Sequence, residues 1–170
     1  MRAVGIRPGG LLDIVLVSTA TAEVRALVGE LDEVLSAQYP PEQRHGIVLE
    51  TIFQPHIRFF VARLHGEPVG CGGVALFEDF AEVKRMYVRE DARGRGVAQA
   101  LLRRIETEAA AADLALLRLE TGNRQTAALR LYERAGFRRC VPFGDYASMA
   151  PTAIATSIFF EKQLVRGNES

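Results

Sequence analysis

The sequence has only two cysteines, no excess charge of either sign and no apolar run approaching the length of a membrane span. Cys71 and Cys140 are too few for a disulfide framework, and neither belongs to a CxxC pair, so a reduced protein is expected. With 21 basic and 21 acidic residues, no overall field draws the chain to nucleic acid or to an anionic membrane. Met1 to Gly10 lacks the apolar core of a signal peptide. These absences together predict a cytoplasmic protein with no nucleic-acid or membrane partner. Repeats and low-complexity tracts are missing too. His45 and His56 stand alone, without ligand spacing, so no metal site is expected. No Gly-Lys-Ser/Thr ending occurs, which excludes a Walker phosphate loop.

What is present suits one compact domain over residues 1–170, with residues 1–10 and 166–170 expected to be flexible. Nearly half the residues are hydrophobic (48%), enough for a substantial core. The chain is organised around Glu82 to Glu108. Its first part carries β-branched and aromatic residues in alternation, as a strand does. A polar turn, Arg89 to Arg93, leads to Gly94 and Gly96. From Val97 the period changes to that of an amphipathic helix, with Val97, Leu101 and Ile105 on one face. The stretch therefore reads strand, glycine-rich turn, helix.

A helix start presents backbone N–H groups with no intrahelical partner and carries the positive end of the macrodipole. Glycines there let a large anion approach the backbone, and Arg93 and Arg95 add full charges. A phosphate or pyrophosphate is the natural guest; an ordinary helix start with surface arginines is the plainer alternative. A dinucleotide fingerprint is a poor fit, because its third small residue is here Gln99. Arg93-x-x-Gly96-x-Ala98 resembles the pyrophosphate-binding signature of the GNAT superfamily, the acetyl-CoA-dependent N-acetyltransferases.

The other elements follow from pattern. Asp13 to Val17 reads as a strand. Ser18 to Thr21 offers caps for a helix whose apolar stripe is Val24, Leu27, Val28, Leu31, Val34 and Leu35, stopped by Tyr39-Pro40-Pro41. Glu42 to His56 is irregular, with room for a short helix bordering a site. Arg58–Leu64 and Val69–Phe77 form an antiparallel hairpin around His65 to Pro68. Gly70, Gly72 and Gly73 in its second strand call for a bulge or a close neighbour. Phe80–Arg89 is the key strand, and Leu114–Thr121 should run parallel to it after the helical crossover. Thr126 to Ala135 is a helix ended by Gly136, Phe137 to Val141 a strand, Pro142 to Pro151 a loop, and Ala155 to Leu164 the closing strand. The fold class is α/β (α+β): a single domain whose mixed, mainly antiparallel sheet is flanked by helices.

Gln125 to Phe137 carries a second likeness to GNAT enzymes, whose Asn-x-x-Ala-x-x-Leu-Tyr and Gly-Phe pattern is met by Ala128, Leu131, Tyr132, Gly136 and Phe137. Gln125 fills the asparagine slot. Tyr39-Pro40-Pro41-Glu42 and Pro142-Phe143-Gly144-Asp145-Tyr146 resemble a bacterial subgroup of small GNAT proteins, some labelled as acting on an indole acid. The resemblance implies an N-acetyltransferase that moves acetyl from acetyl-CoA to a primary amine by direct attack, as a monomer or homodimer. It implies two splayed parallel strands, with the backbone of Met86, Tyr87 and Val88 pairing with the pantetheine arm. Arg93, Gly94, Arg95, Gly96, Val97 and Ala98 would hold the pyrophosphate, and Gln125 and Ala128 would border the cofactor. Tyr132 is the expected general acid and Glu82 the expected base. From pattern alone Tyr132 could equally be a core tyrosine and Glu82 a solvated strand-edge charge. A CoA-binding sensor, or a regulatory module docking through Pro142–Pro151, is the alternative to an enzyme.

Overall fold

The computed structural model describes residues 11–165. The flexibility expected of residues 1–10 and 166–170 lies outside them. Seven strands make one sheet: β1 (Leu12–Val17), β2 (Ile57–Leu64), β3 (Glu67–Leu76), β4 (Ala81–Val88), β5 (Leu116–Gly122), β6 (Arg138–Arg139) and β7 (Ser157–Gln163). Their order is β1-β2-β3-β4-β5-β7-β6, and every pairing is antiparallel except β4 with β5. The expected class and the parallel crossover are both present.

Three helices cover the sheet: α1 (Ala22–Gln38), α2 (Val97–Ala111) and α3 (Thr126–Arg134). Thr21 caps α1 by accepting the Val24 N–H at 3.3 Å. Val24, Leu27 and Val28 pack against Phe59, Val61 and Cys71 on one sheet face. The alternate residues of the strands, Phe60, Ala62, Val74 and Val83, face α2 and α3 on the other. Val34 and Leu35 are only half-buried, and Leu35 borders a cavity at the end of α1. Residues 41–56 hold two single turns of 3₁₀ helix, Pro41–Gln43 and Leu49–Thr51.

The strand expected over Phe137–Val141 shrinks to Arg138–Arg139. Phe137 folds into the core behind the left-handed turn at Gly136 (φ +93°), and Pro142 has no N–H to extend the ladder. The glycines of β3 answer a bulge in β4. Cys71 opposes Tyr87 and Gly73 opposes Lys84, so Arg85 and Met86 together face Gly72. Arg85 takes a positive φ of 56° there. The bulge turns Arg85 under α1 while Met86 and Val88 join the opposite face with α2.

Candidate active site

Strands β4 and β5 pair only at Ala81–Leu117 and Glu82–Arg118, and then part. Beyond that point β4 keeps β3 on one edge. Arg89 N–H donates to the Val69 carbonyl at 2.8 Å. Since N–H groups alternate along a strand, the Val88 amide points away from β3 and into the gap. Arg93 Nε donates to the Val88 carbonyl at 3.2 Å, on the same side.

The chain leaves β4 through the turn Glu90–Ala92 and reaches α2 through Gly94 (φ +77°) and Gly96 (φ +79°). Gly96 is the N-cap, and no side chain bonds the free N–H groups of the first turn. Arg93 and Arg95 are exposed beside it. Arg89 is committed elsewhere, gripping Glu30 of α1 through two bonds of 2.9 and 2.8 Å.

Between the parted strands lies a cavity of about 110 Å³. Glu82 and Met86 border it from β4, Glu120 and Gly122 from β5, Ala128 and Tyr132 from α3, Gln125 from the N-cap of α3, and Arg44 and His45 from the segment after α1. Glu82 is only 4% exposed, so it is no solvated edge charge. One of its oxygens accepts the Tyr146 hydroxyl at 2.8 Å and pairs with Lys84 Nζ at 2.8 Å. Lys84 also donates to the Tyr146 oxygen at 3.0 Å. Burial and the neighbouring Glu82 charge push the Tyr146 hydroxyl well up, so it stays a donor.

Glu120 lies across the gap and accepts the Ser157 hydroxyl at 2.6 Å. Burial holds its carboxyl above the usual range, with Lys84 and His45 pulling the other way and Glu82 adding to the rise. Tyr132 is buried, as a core tyrosine would be, and stacks edge-on against Phe137 at 5.6 Å. It lines the cavity nonetheless. Burial and the Glu120 charge raise its hydroxyl above the ordinary phenol range. The thiol of Cys71 is pushed up to about 12 by burial, which suits a core residue and not a nucleophile. Among the described residues no cluster of His, Cys, Asp or Glu could hold a metal ion, and no helix is long and apolar enough to cross a membrane.

The "Acetyltransferase (GNAT) family" model matches residues 27–137. The chain belongs to the GNAT acetyltransferase family. The IAA acetyltransferase of Azospirillum brasilense is 45% identical over 140 residues, spanning 81% of this chain and 88% of that protein. A solved structure from Klebsiella pneumoniae, named for an acyl-CoA N-acyltransferase, is 34% identical with a TM-score of 0.69, covering 91% of this chain and 98% of that one. The paia N-acetyltransferase of Thermoplasma acidophilum, solved in complex with coenzyme A, shares the fold at 14% identity (TM-score 0.67; 89% and 98% covered).

The expected GNAT residues divide by where the fold puts them. Glu82, Met86, Gln125, Ala128 and Tyr132 meet in one cavity. Val88, Arg93, Gly94, Arg95, Gly96 and Ala98 form the edge and turn that lead away from it. Val97 is buried in the α2 interface and offers only backbone. Tyr87 is turned away: its backbone pairs with Cys71 of β3, and its hydroxyl donates to Glu30 at 3.2 Å. The side chain of Gln125 donates to Gln38, which anchors α3 to the end of α1.

Pattern reading missed Lys84, Glu120 and Tyr146. Lys84 was open to it, since position i+2 from Glu82 shares a strand face. Glu120 and Tyr146 arrive from remote segments, and no local periodicity marks them.

Proposed function

We propose that this GNAT protein transfers an acetyl group from acetyl-CoA to a primary amine by direct attack. The observation that carries this reading is the gap between β4 and β5: the Val88 amide faces away from β3 on the edge that leads from the cavity bordered by Glu120 and Tyr132, and left-handed glycines open the start of α2. The fit to acetyl-CoA follows from chemistry. A pantetheine arm with its amides can pair with a free strand edge as another strand would. A pyrophosphate suits the uncapped N–H groups of α2 with Arg93 and Arg95 alongside. Acetyl-CoA supplies an activated thioester when bound.

The protein's groups then have separate tasks. The Val88 N–H donates to the carbonyl oxygen, where negative charge develops. Glu120 takes the proton from the attacking amine as the N–C bond forms. Glu82 is the base expected from sequence; one of its oxygens already engages both Lys84 and the Tyr146 hydroxyl. We assign Glu82 to positioning that pair. The Tyr132 hydroxyl donates its proton to sulfur as the C–S bond breaks, the thiol product carries that proton away, and solvent exchange returns a proton to the phenolate as Glu120 releases the one it took from the amine.

An acetyl-CoA thiol-release assay across a panel of primary amines tests the reading. Amine-dependent release of free thiol is the expected result. Tight CoA binding without release for any amine would favour a sensor.

A further inference from the structure

Two guanidinium groups that the acetyl-transfer steps leave unused border the same cavity. Arg85, placed by the bulge of β4, has a side chain only 4% exposed. Its Nη2 bonds Asp32 of α1 and reaches the Val28 carbonyl at 3.5 Å. Its Nε is buried with no hydrogen-bond partner among the described residues. Arg44, just after the turn Pro41–Gln43, also has a buried Nε without a partner, and no ion pair among the described residues engages it. Buried guanidinium groups are nearly always matched by acceptors, so two arginine side chains that border one cavity, each with an unpartnered Nε among the described residues, point to an anionic ligand there.

Gly46 supports that placement. A Cβ there would overlap Nη1 of Arg85, so the bare backbone makes room for the guanidinium. Gly46 also borders a second cavity of about 760 Å³, whose wall includes Ile57, Phe77, Phe80 and Met149. The two cavities meet at His45, Gly46, Glu82, Lys84 and Tyr146.

One cavity is thus bordered by carboxylates, Glu82 and Glu120, and by guanidinium side chains, Arg44 and Arg85. A ligand that answers both carries an amine and a carboxylate. We propose that the acceptor is a free amino acid, its carboxylate held by Arg44 and Arg85, its amine at Glu120 and its side chain directed into the larger cavity. The inference rests on the acetyl-transfer reading above. A carboxylate is preferred over an inorganic anion because Glu120, which borders the same cavity and has no ion pair among the described residues, suits an amine on the same molecule.

The test uses matched pairs. Thiol release is measured with each amino acid and with its primary amide, on the unaltered protein and on Arg44→Gln and Arg44→Lys. The acid is expected to exceed the amide in kcat/KM by at least about tenfold, the scale of hydrogen bonds to a charged group. Arg44→Gln should bring the ratio near one, and Arg44→Lys should restore part of it. Arg85 is a poor target because it also fastens α1 through Asp32.

A calorimetric titration of the CoA-bound protein with N-acetylalanine and N-acetylphenylalanine, against their primary amides, reads the anchor without turnover. Binding of the acids, lost in Arg44→Gln at unchanged melting temperature, supports the proposal. Amides turned over as well as acids, an acid preference untouched by Arg44→Gln, or no difference in the titration overturns it. Release with amides alone sinks only this inference, whereas no release with any amine sinks the acetyl-transfer reading and leaves the titration to decide the anchor.

Discussion

At the scale of single residues, the account depends on Tyr132 and Glu120 holding different protons. Tyr132 has its hydroxyl raised by burial, so it is protonated throughout the working pH range and acts only as a donor. Tyr132→Phe keeps the ring against Phe137 and Phe160. Steady-state kinetics should show kcat lower by roughly 10²–10⁴-fold, with acetyl-CoA affinity and melting temperature nearly unchanged. Normal turnover would make Tyr132 a core residue. Glu120 must be ionised to accept a proton, so kcat/KM should rise as pH rises through its elevated pKa. Glu120→Gln should remove that limb of the profile, and Glu82→Gln should leave the limb in place. Stability moves the other way. A carboxyl whose folded pKa is raised favours the fold below its unfolded pKa, and that contribution is lost as pH climbs through the folded value. Glu120→Gln should therefore melt at or above the unaltered protein at pH 8 while its activity falls. A pH–rate profile still rising in the same range after Glu120→Gln would return the base to Glu82.

At the scale of elements, the turn into α2 is the sharpest case of sequence dictating structure. Gly94 and Gly96 were legible because a strand pattern and a helix pattern meet there with only Arg95 between them. Their geometry refines the reason. A Cβ at Gly96 would meet nothing within 4 Å, so the demand is on backbone conformation and not on space within the protein. At φ +79° a side chain is strained by about 1–2 kcal/mol, more for a β-branched one. Gly96→Val should lower the melting temperature and weaken CoA binding measured by calorimetry, because the first-turn N–H groups lose their alignment. Arg93→Ala should do much less, since an exposed cation contributes little. Unchanged CoA affinity in Gly96→Val would remove the anion site from this turn. The segment between α1 and β2 was not legible, and the reason is physical. Its shape comes from long-range bonds such as His45 to the Ala153 carbonyl at 2.7 Å, which no local periodicity encodes. Tyr146 was hidden likewise, in a loop held by packing against Phe143 and Phe159.

At the scale of the whole molecule, the β2–β3 hairpin and the parallel crossover could be read from alternation, turn residues and the helix between Phe80–Arg89 and Leu114–Thr121. The walls of the candidate site could not. They exist because β4 and β5 separate after two pairs, which lets groups from α3, β5, the loop after β6 and the segment after α1 converge on one cavity. The bulge at Arg85 adds to this by sending Glu82 and Lys84 to one face and Met86 and Val88 to the other. The central claim is that this gap receives the acyl donor against the free edge of β4. Amide hydrogen exchange at Val88, followed by NMR with and without acetyl-CoA, tests it most directly. The account predicts marked slowing at Val88 on binding, with Tyr87, already paired to β3, changing little. Saturating acetyl-CoA that leaves Val88 exchange unchanged would contradict it.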